Sequence, residues 1–121
     1  MITITFYAKG IEEEINADNV DLLKSISGFR SEGHAGYAEH GKDIVCASAS
    51  VLVANTVNSI HLFTSDEFFY DENEESGMIE LKITSEVSPE SSILLRSLFL
   101  GMRGIQDMYG EEFVRIVFQN L

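Results

Sequence analysis

Cysteine occurs once in this 121-residue chain, proline once, and lysine and arginine only eight times between them. A single cysteine, Cys46, excludes an intramolecular disulfide, a CxxC redox pair and a thiolate-rich zinc site, and no metal site or cofactor is expected. Twenty Asp and Glu outweigh the eight basic residues, giving a formal charge of −12. Binding through phosphates needs the opposite sign, and no Lys/Arg cluster provides a local exception, so direct nucleic-acid contact is not expected. A partner steered by charge should be basic, although acidity also serves plain solubility. No apolar run approaches the roughly 20 residues of a membrane span. The stretch MITITFYAKG lacks a charged segment leading into an apolar one, so the expectation is a cytoplasmic protein away from membranes.

Apolar residues make up 45% of the chain and charged residues 23%, a globular balance. At this length one domain over 1–121 can bury roughly two-thirds of its unfolded surface without a covalent staple. Residues 2–8 alternate strictly, Ile2, Ile4, Phe6 and Ala8 against Thr3, Thr5 and Tyr7, which reads as a half-buried strand. Segment 9–23 has no clear pattern and contains the charge run Glu12–Glu14. A second strand is expected around Ser25–Gly33, with Ile26 and Phe29 as its apolar residues, and a glycine-punctuated loop over 35–42.

Asp43 is a good N-cap, and IVCASASVLVANTVNSI after it predicts a helix from about Ile44 to Ile60, buried on most sides because no face carries charge. Glu67–Asp71 and Met78–Ser85 flank the turn-like ENEESG and predict a hairpin. Ser88-Pro89-Glu90 starts a second helix. Its stripe Leu95, Leu98, Met102, Ile105 and Tyr109 reads as core, and Gly110 ends it. Phe113–Gln119 is the last strand. The predicted class is therefore α+β, a mostly antiparallel sheet with two helices in the order β-β-α-β-β-α-β.

Chemistry concentrates in GHAGYAEHGKDIVC, residues 33–46. With Asp43 as cap, Cys46 falls in the first helical turn, where free N–H groups and the helix dipole favour an anion. That position favours a thiolate over a thiol, and the same N–H groups are candidates to receive an oxyanion. A thiol nucleophile needs a base. His34, at a strand end between Gly33 and Ala35, is the rigid candidate, whereas His40 lies in the loop. His61, far along the first helix, suits a cation at its C-terminus. Asp43 either caps the helix only or also orients the histidine as a third member of a triad. The plainer alternative for Cys46 is a buried, inert thiol.

Gly-His-Ala, the glycine loop, and Asp-Ile-Val-Cys-Ala-x-x-Ser, with twelve positions from His34 to Cys46, resemble the ribosomal-processing cysteine protease Prp family. The likeness continues through the Ala/Ser/Val helix to Asn58, the hairpin, and LFLGMRGIQDMYG. It implies a cytoplasmic bacterial endopeptidase that trims a short N-terminal extension from large-subunit ribosomal protein number twenty-seven. It also implies a homodimer with a mobile loop over the site, here Gly36–Lys42 including His40 and Gly41. On the matching positions Cys46 resembles the nucleophile and His34 its base, with Asp43 matching the motif's aspartate. Segment 9–23 departs from the family, being longer and more acidic. Two other classes compete: a thiol acyltransferase or hydrolase acting on small molecules through the same pair, and a ribosome-associated binding module with an inert Cys46.

Overall fold

The strict alternation of the first strand is realised over β1, Ile2–Ala8, where Ile2, Ile4, Phe6 and Ala8 are all buried. The computed structural model describes residues 1–9, 23–39 and 43–121. Segment 10–22, most of the stretch without a pattern, and His40, Gly41 and Lys42 lie outside the described residues.

β2, Ile26–Glu32, runs antiparallel to β1 with Phe6 opposite Phe29 and Ile4 opposite Ser31. The hairpin β3, Phe68–Asn73, and β4, Met78–Ile83, joins the other edge of β2, with Phe29 opposite Leu81. β5, Val114–Asn120, lies parallel to β1, pairing Ile4 with Ile116 and Phe6 with Phe118. The sheet order is β3-β4-β2-β1-β5, antiparallel at every pair but the last. Opposed residues of a ladder share a face. Ile4, Phe6, Phe29, Leu81 and Ile116 therefore form one apolar side, and Thr5, Tyr7, Arg30, Glu80 and Lys82 the other. On that polar side the Tyr7 hydroxyl donates to Glu80 and the Lys82 ammonium sits 5.0 Å over the Tyr7 ring. Burial first, and then the Glu80 acceptor, push the Tyr7 phenol well above its ordinary range.

Both long helices cover the apolar side. α1, Ile44–Phe63, is capped by Asp43, and α2, Pro89–Tyr109, by Ser88, with Gly110 closing it. The expected stripe on α2 is core: Leu95, Leu98, Met102 and Ile105 are buried, and Phe6 packs edge-on against Phe99 at 5.8 Å between ring centroids. Burying a side chain of this size contributes roughly 1.5–3 kcal/mol, so this single layer of contacts dominates the stability of the fold.

α1 differs from its expectation. Only the face carrying Val45, Ala49, Val53, Thr56, Ser59 and Ile60 is buried, while Val51, Leu62 and Phe63 are about two-thirds or more exposed (67%, 70% and 74%). The reason is architectural: α1 and α2 lie side by side on one sheet face, so each has an outer side that nothing among the described residues covers. An uncharged outer side carries no periodic signal, so a one-sided helix reads as a buried one. By length and composition, this 20-residue helix is also long and apolar enough to cross a membrane, contrary to the expectation that no run has that length.

Candidate active site

Asp43 organises the site. Its Oδ1 accepts the backbone N–H groups of Val45 and Cys46, each at 3.0 Å, the expected cap. Its Oδ2 turns the other way and accepts from Tyr37 N at 3.0 Å and Ala38 N at 3.4 Å. One carboxylate thus ties the loop after β2 to the first turn of α1. Burial works against its charge, but the N–H groups of Cys46, Ala38 and Tyr37 and the Cys46 thiol outweigh it. Together they hold the carboxyl below the usual carboxylate range.

Two expectations change here. Val45 and Cys46 N–H are occupied by Asp43, and Ala47 N–H bonds the Asp43 carbonyl, so these first-turn donors are not free to receive an oxyanion. Sγ of Cys46 instead meets a donor from the loop: Ala35 N–H points at it across 3.1 Å. A backbone amide aimed at sulfur stabilises negative charge there, and unlike a side chain it leaves no trace in the sequence.

His34 follows Gly33 at the end of β2. Gly33 has φ +91°, and a Cβ there would lie 2.4 Å from the Met1 carbonyl oxygen. Glycine is required because the first residue of the chain crosses at this point, with Met1 N donating to the His34 carbonyl. From the other side Gly33 N–H donates to Ser76 O in the β3–β4 turn. That turn ends at Gly77, φ +65°, and the imidazole rests against it: a Cβ on Gly77 would lie 3.4 Å from His34 Cε1 and 3.2 Å from Gly33 O. The sequence shows this turn, ENEESG, only as a hairpin connection, with nothing to mark Gly77 as a neighbour of His34.

Gly33, His34, Gly36, Asp43 and Cys46 all line one cleft of about 680 Å³, whose floor includes Ile2, Val53 and Ile79. His34 is exposed and Cys46 half-buried, so a substrate entering the cleft meets both. The expected supporting residues are therefore brought together, Asp43 as a cap that also holds the loop. His40 and Gly41 lie outside the described residues. His61 is in the last turn of α1 against Phe68, remote from the cleft. Among the described residues no group of three or more His, Cys, Asp or Glu is placed to hold a metal ion.

Comparison with known proteins gives the arrangement a family. Residues 1–114 match the family described as cysteine protease Prp. The ribosomal processing cysteine protease Prp of Bacillus subtilis (strain 168) is 33% identical over 79 residues, 65% of this chain and 70% of that protein. The protein of the same name from Staphylococcus aureus (strain Mu50) is 32% identical over 82 residues, 66% of this chain and 76% of that protein. The crystal structure of an essential ribosomal processing protease Prp from S. aureus, with a covalently linked product peptide, has the same fold. Its TM-score is 0.80 at 24% identity, covering 98% of this chain and all of that one. The match of residues 1–114 to the family, together with the shared fold, makes this chain a member of the cysteine protease Prp family.

Proposed function

We propose that this protease removes the N-terminal extension of large-subunit ribosomal protein number twenty-seven during ribosome maturation, with Cys46 as nucleophile and His34 as base. The observation that carries the reading is that His34 and Cys46, supplied by a strand end and a helix start, line the same cleft. In the reaction His34 takes the Cys46 proton and Sγ bonds to the scissile carbonyl carbon, giving a tetrahedral oxyanion. Collapse breaks the C–N bond, and the imidazolium returns its proton to the leaving amine. A water, deprotonated by His34, then attacks the thioester and releases the extension as an acid, restoring the thiol. Asp43 is a structural clamp in this scheme: its oxygens accept four backbone N–H groups.

The charge of −12 supports a basic substrate such as a ribosomal protein, because opposite charges raise the encounter rate. The enzyme acts in the cytoplasm, as a homodimer, and on the protein rather than on RNA. Incubating it with the extended ribosomal precursor is the test. Clean loss of one N-terminal peptide is expected, and Cys46→Ser and His34→Ala should each abolish cleavage with unchanged circular dichroism. A precursor left intact by folded protein overturns the substrate, and full activity in either variant removes that residue from the mechanism. Acyl transfer to a small thiol or amine with no cleavage would identify the acyltransferase instead.

A further inference from the structure

The peptide unit that aims Ala35 N–H at Cys46 Sγ is held at its own carbonyl by Met1 N, and the segment that continues from it is held by the Asp43 carboxylate only through the Tyr37 and Ala38 amides. Its one large side chain, Tyr37, leaves the cleft and lands elsewhere. Its ring meets Tyr109, the last residue of α2, edge-on at 5.5 Å and 70°, and Phe113, just ahead of β5, at 5.2 Å and 80°. Both are edge-to-face contacts of the favourable kind. Tyr37 is 44% exposed, so the ring fills no core. Its contacts are with an aromatic ledge built where α2 turns into β5, and Gly110 makes that turn.

We infer that Tyr37 is a positioning residue for the nucleophile: by seating its ring on Tyr109 and Phe113, it keeps the Ala35 amide aimed at Cys46 Sγ. This rests on Cys46 being the nucleophile proposed above. The coupling runs from the end of α2, through one ring and two peptide units, to the sulfur at the start of α1. A donor to sulfur favours the thiolate, so losing the ring contacts loosens the fit of the amide on the sulfur and makes the thiolate harder to form. Tyr37→Phe keeps the ring and its edge contacts. Tyr37→Ala removes them, so that the segment is held by backbone bonds to Met1 and Asp43 alone and the Ala35 amide sits less closely on the sulfur.

Cys46 is the only cysteine, so iodoacetamide labelling of the full chain reports on it alone. The labelling rate is followed from acid to alkaline pH for the parent, Tyr37→Phe and Tyr37→Ala, alongside kcat and KM for precursor cleavage. The midpoint of the labelling profile reads thiolate formation, and its alkaline plateau reads access to the sulfur. For Tyr37→Ala the midpoint should move to higher pH, and kcat should fall about tenfold with KM little changed, the size that losing one or two ring contacts can supply. Tyr37→Phe should match the parent. An unmoved midpoint in Tyr37→Ala, or a Tyr37→Phe variant as impaired as Tyr37→Ala, overturns the inference. If Tyr37→Ala loses its fold by circular dichroism, Phe113→Leu, which removes one of the two ledge rings, takes its place with the same expected shift. Cleavage that survives Cys46→Ser would defeat the nucleophile assignment separately, without touching the labelling result.

Discussion

Asp43 Oδ1 accepts the backbone N–H of Cys46 at 3.0 Å, so the residue that caps α1 also fixes the main chain of the thiol-bearing residue. A carboxylate so close to sulfur opposes a thiolate by charge repulsion. The repulsion is reduced because both carboxylate oxygens are saturated by backbone donors, two from the helix and two from the loop. Asp43 therefore contributes geometry where its charge alone would be a cost to the chemistry.

Replacing it separates the two effects. Asp43→Ala strips four amides of their acceptor, releasing the loop and fraying the first turn of α1. A Tm several degrees lower and a large fall in kcat are expected. Asp43→Asn keeps one carbonyl oxygen, enough for the cap, but its NH₂ faces the Tyr37 and Ala38 amides as donor against donor. Its Tm should lie between parent and alanine variant, with kcat nearly as low as in the alanine variant. Thermal melts and a cleavage assay on the three proteins decide this; an asparagine variant with full activity would show that the loop does not need the second oxygen.

How much of this was written in the sequence depends on whether a feature is local. The alternation of Ile2, Ile4, Phe6 and Ala8, the caps Asp43 and Ser88, and the stop at Gly110 all act within a few residues, and each was legible. The parallel partnership of β1 with β5 was not, because it joins Ile4 to Ile116 across nearly the entire chain. Within the site, His34 and Cys46 were legible as residue types that do chemistry. Ala35 was not, since its contribution is an amide that every residue but proline owns. Gly77 is legible only as a hairpin turn and Tyr37 not at all, because their contacts are distant in the chain: one lies against His34, the other against rings 72 and 76 positions away. Asp43 is legible as a helix cap or a triad member, whereas its grip on the loop is not, because the second oxygen meets Tyr37 and Ala38 only once the loop has folded back.

Acid should expose the same contacts through stability. Asp43 and Asp66 are both held below the ordinary carboxylate range. In each, burial opposes the shift and hydrogen bonds win: backbone amides and the thiol at Asp43, the Ser91 and Ser88 groups at Asp66. The folded state therefore binds fewer protons than the unfolded chain through this window. The contribution is fully present above the unfolded value near 3.8 and is lost as pH falls through the lower folded values. Urea unfolding at pH 6 and pH 3 should show the parent losing stability between them. An Asp43→Asn, Asp66→Asn double variant should lose less over the same interval, though it starts lower. Parallel losses in the two proteins would mean that other carboxylates carry the acid sensitivity.

Gly77 offers a test of the surface on which His34 rests. At φ +65° an alanine costs about 1–2 kcal/mol in backbone strain, read as a Tm lower by several degrees. Its Cβ also arrives 3.2 Å from Gly33 O, so the turn or the backbone just before His34 has to give by a few tenths of an ångström, while His34 Cε1 at 3.4 Å stays in ordinary contact. Gly77→Ala should therefore lower both Tm and kcat. Gly77→Asn divides the causes, because asparagine tolerates the left-handed region better than alanine yet carries a Cβ at the same place. It should recover part of the Tm while kcat stays low, because the push on the Gly33 carbonyl, next to His34, remains. Recovery of kcat together with Tm would instead trace the alanine defect to backbone strain, leaving the push on the Gly33 carbonyl without a part in the reaction.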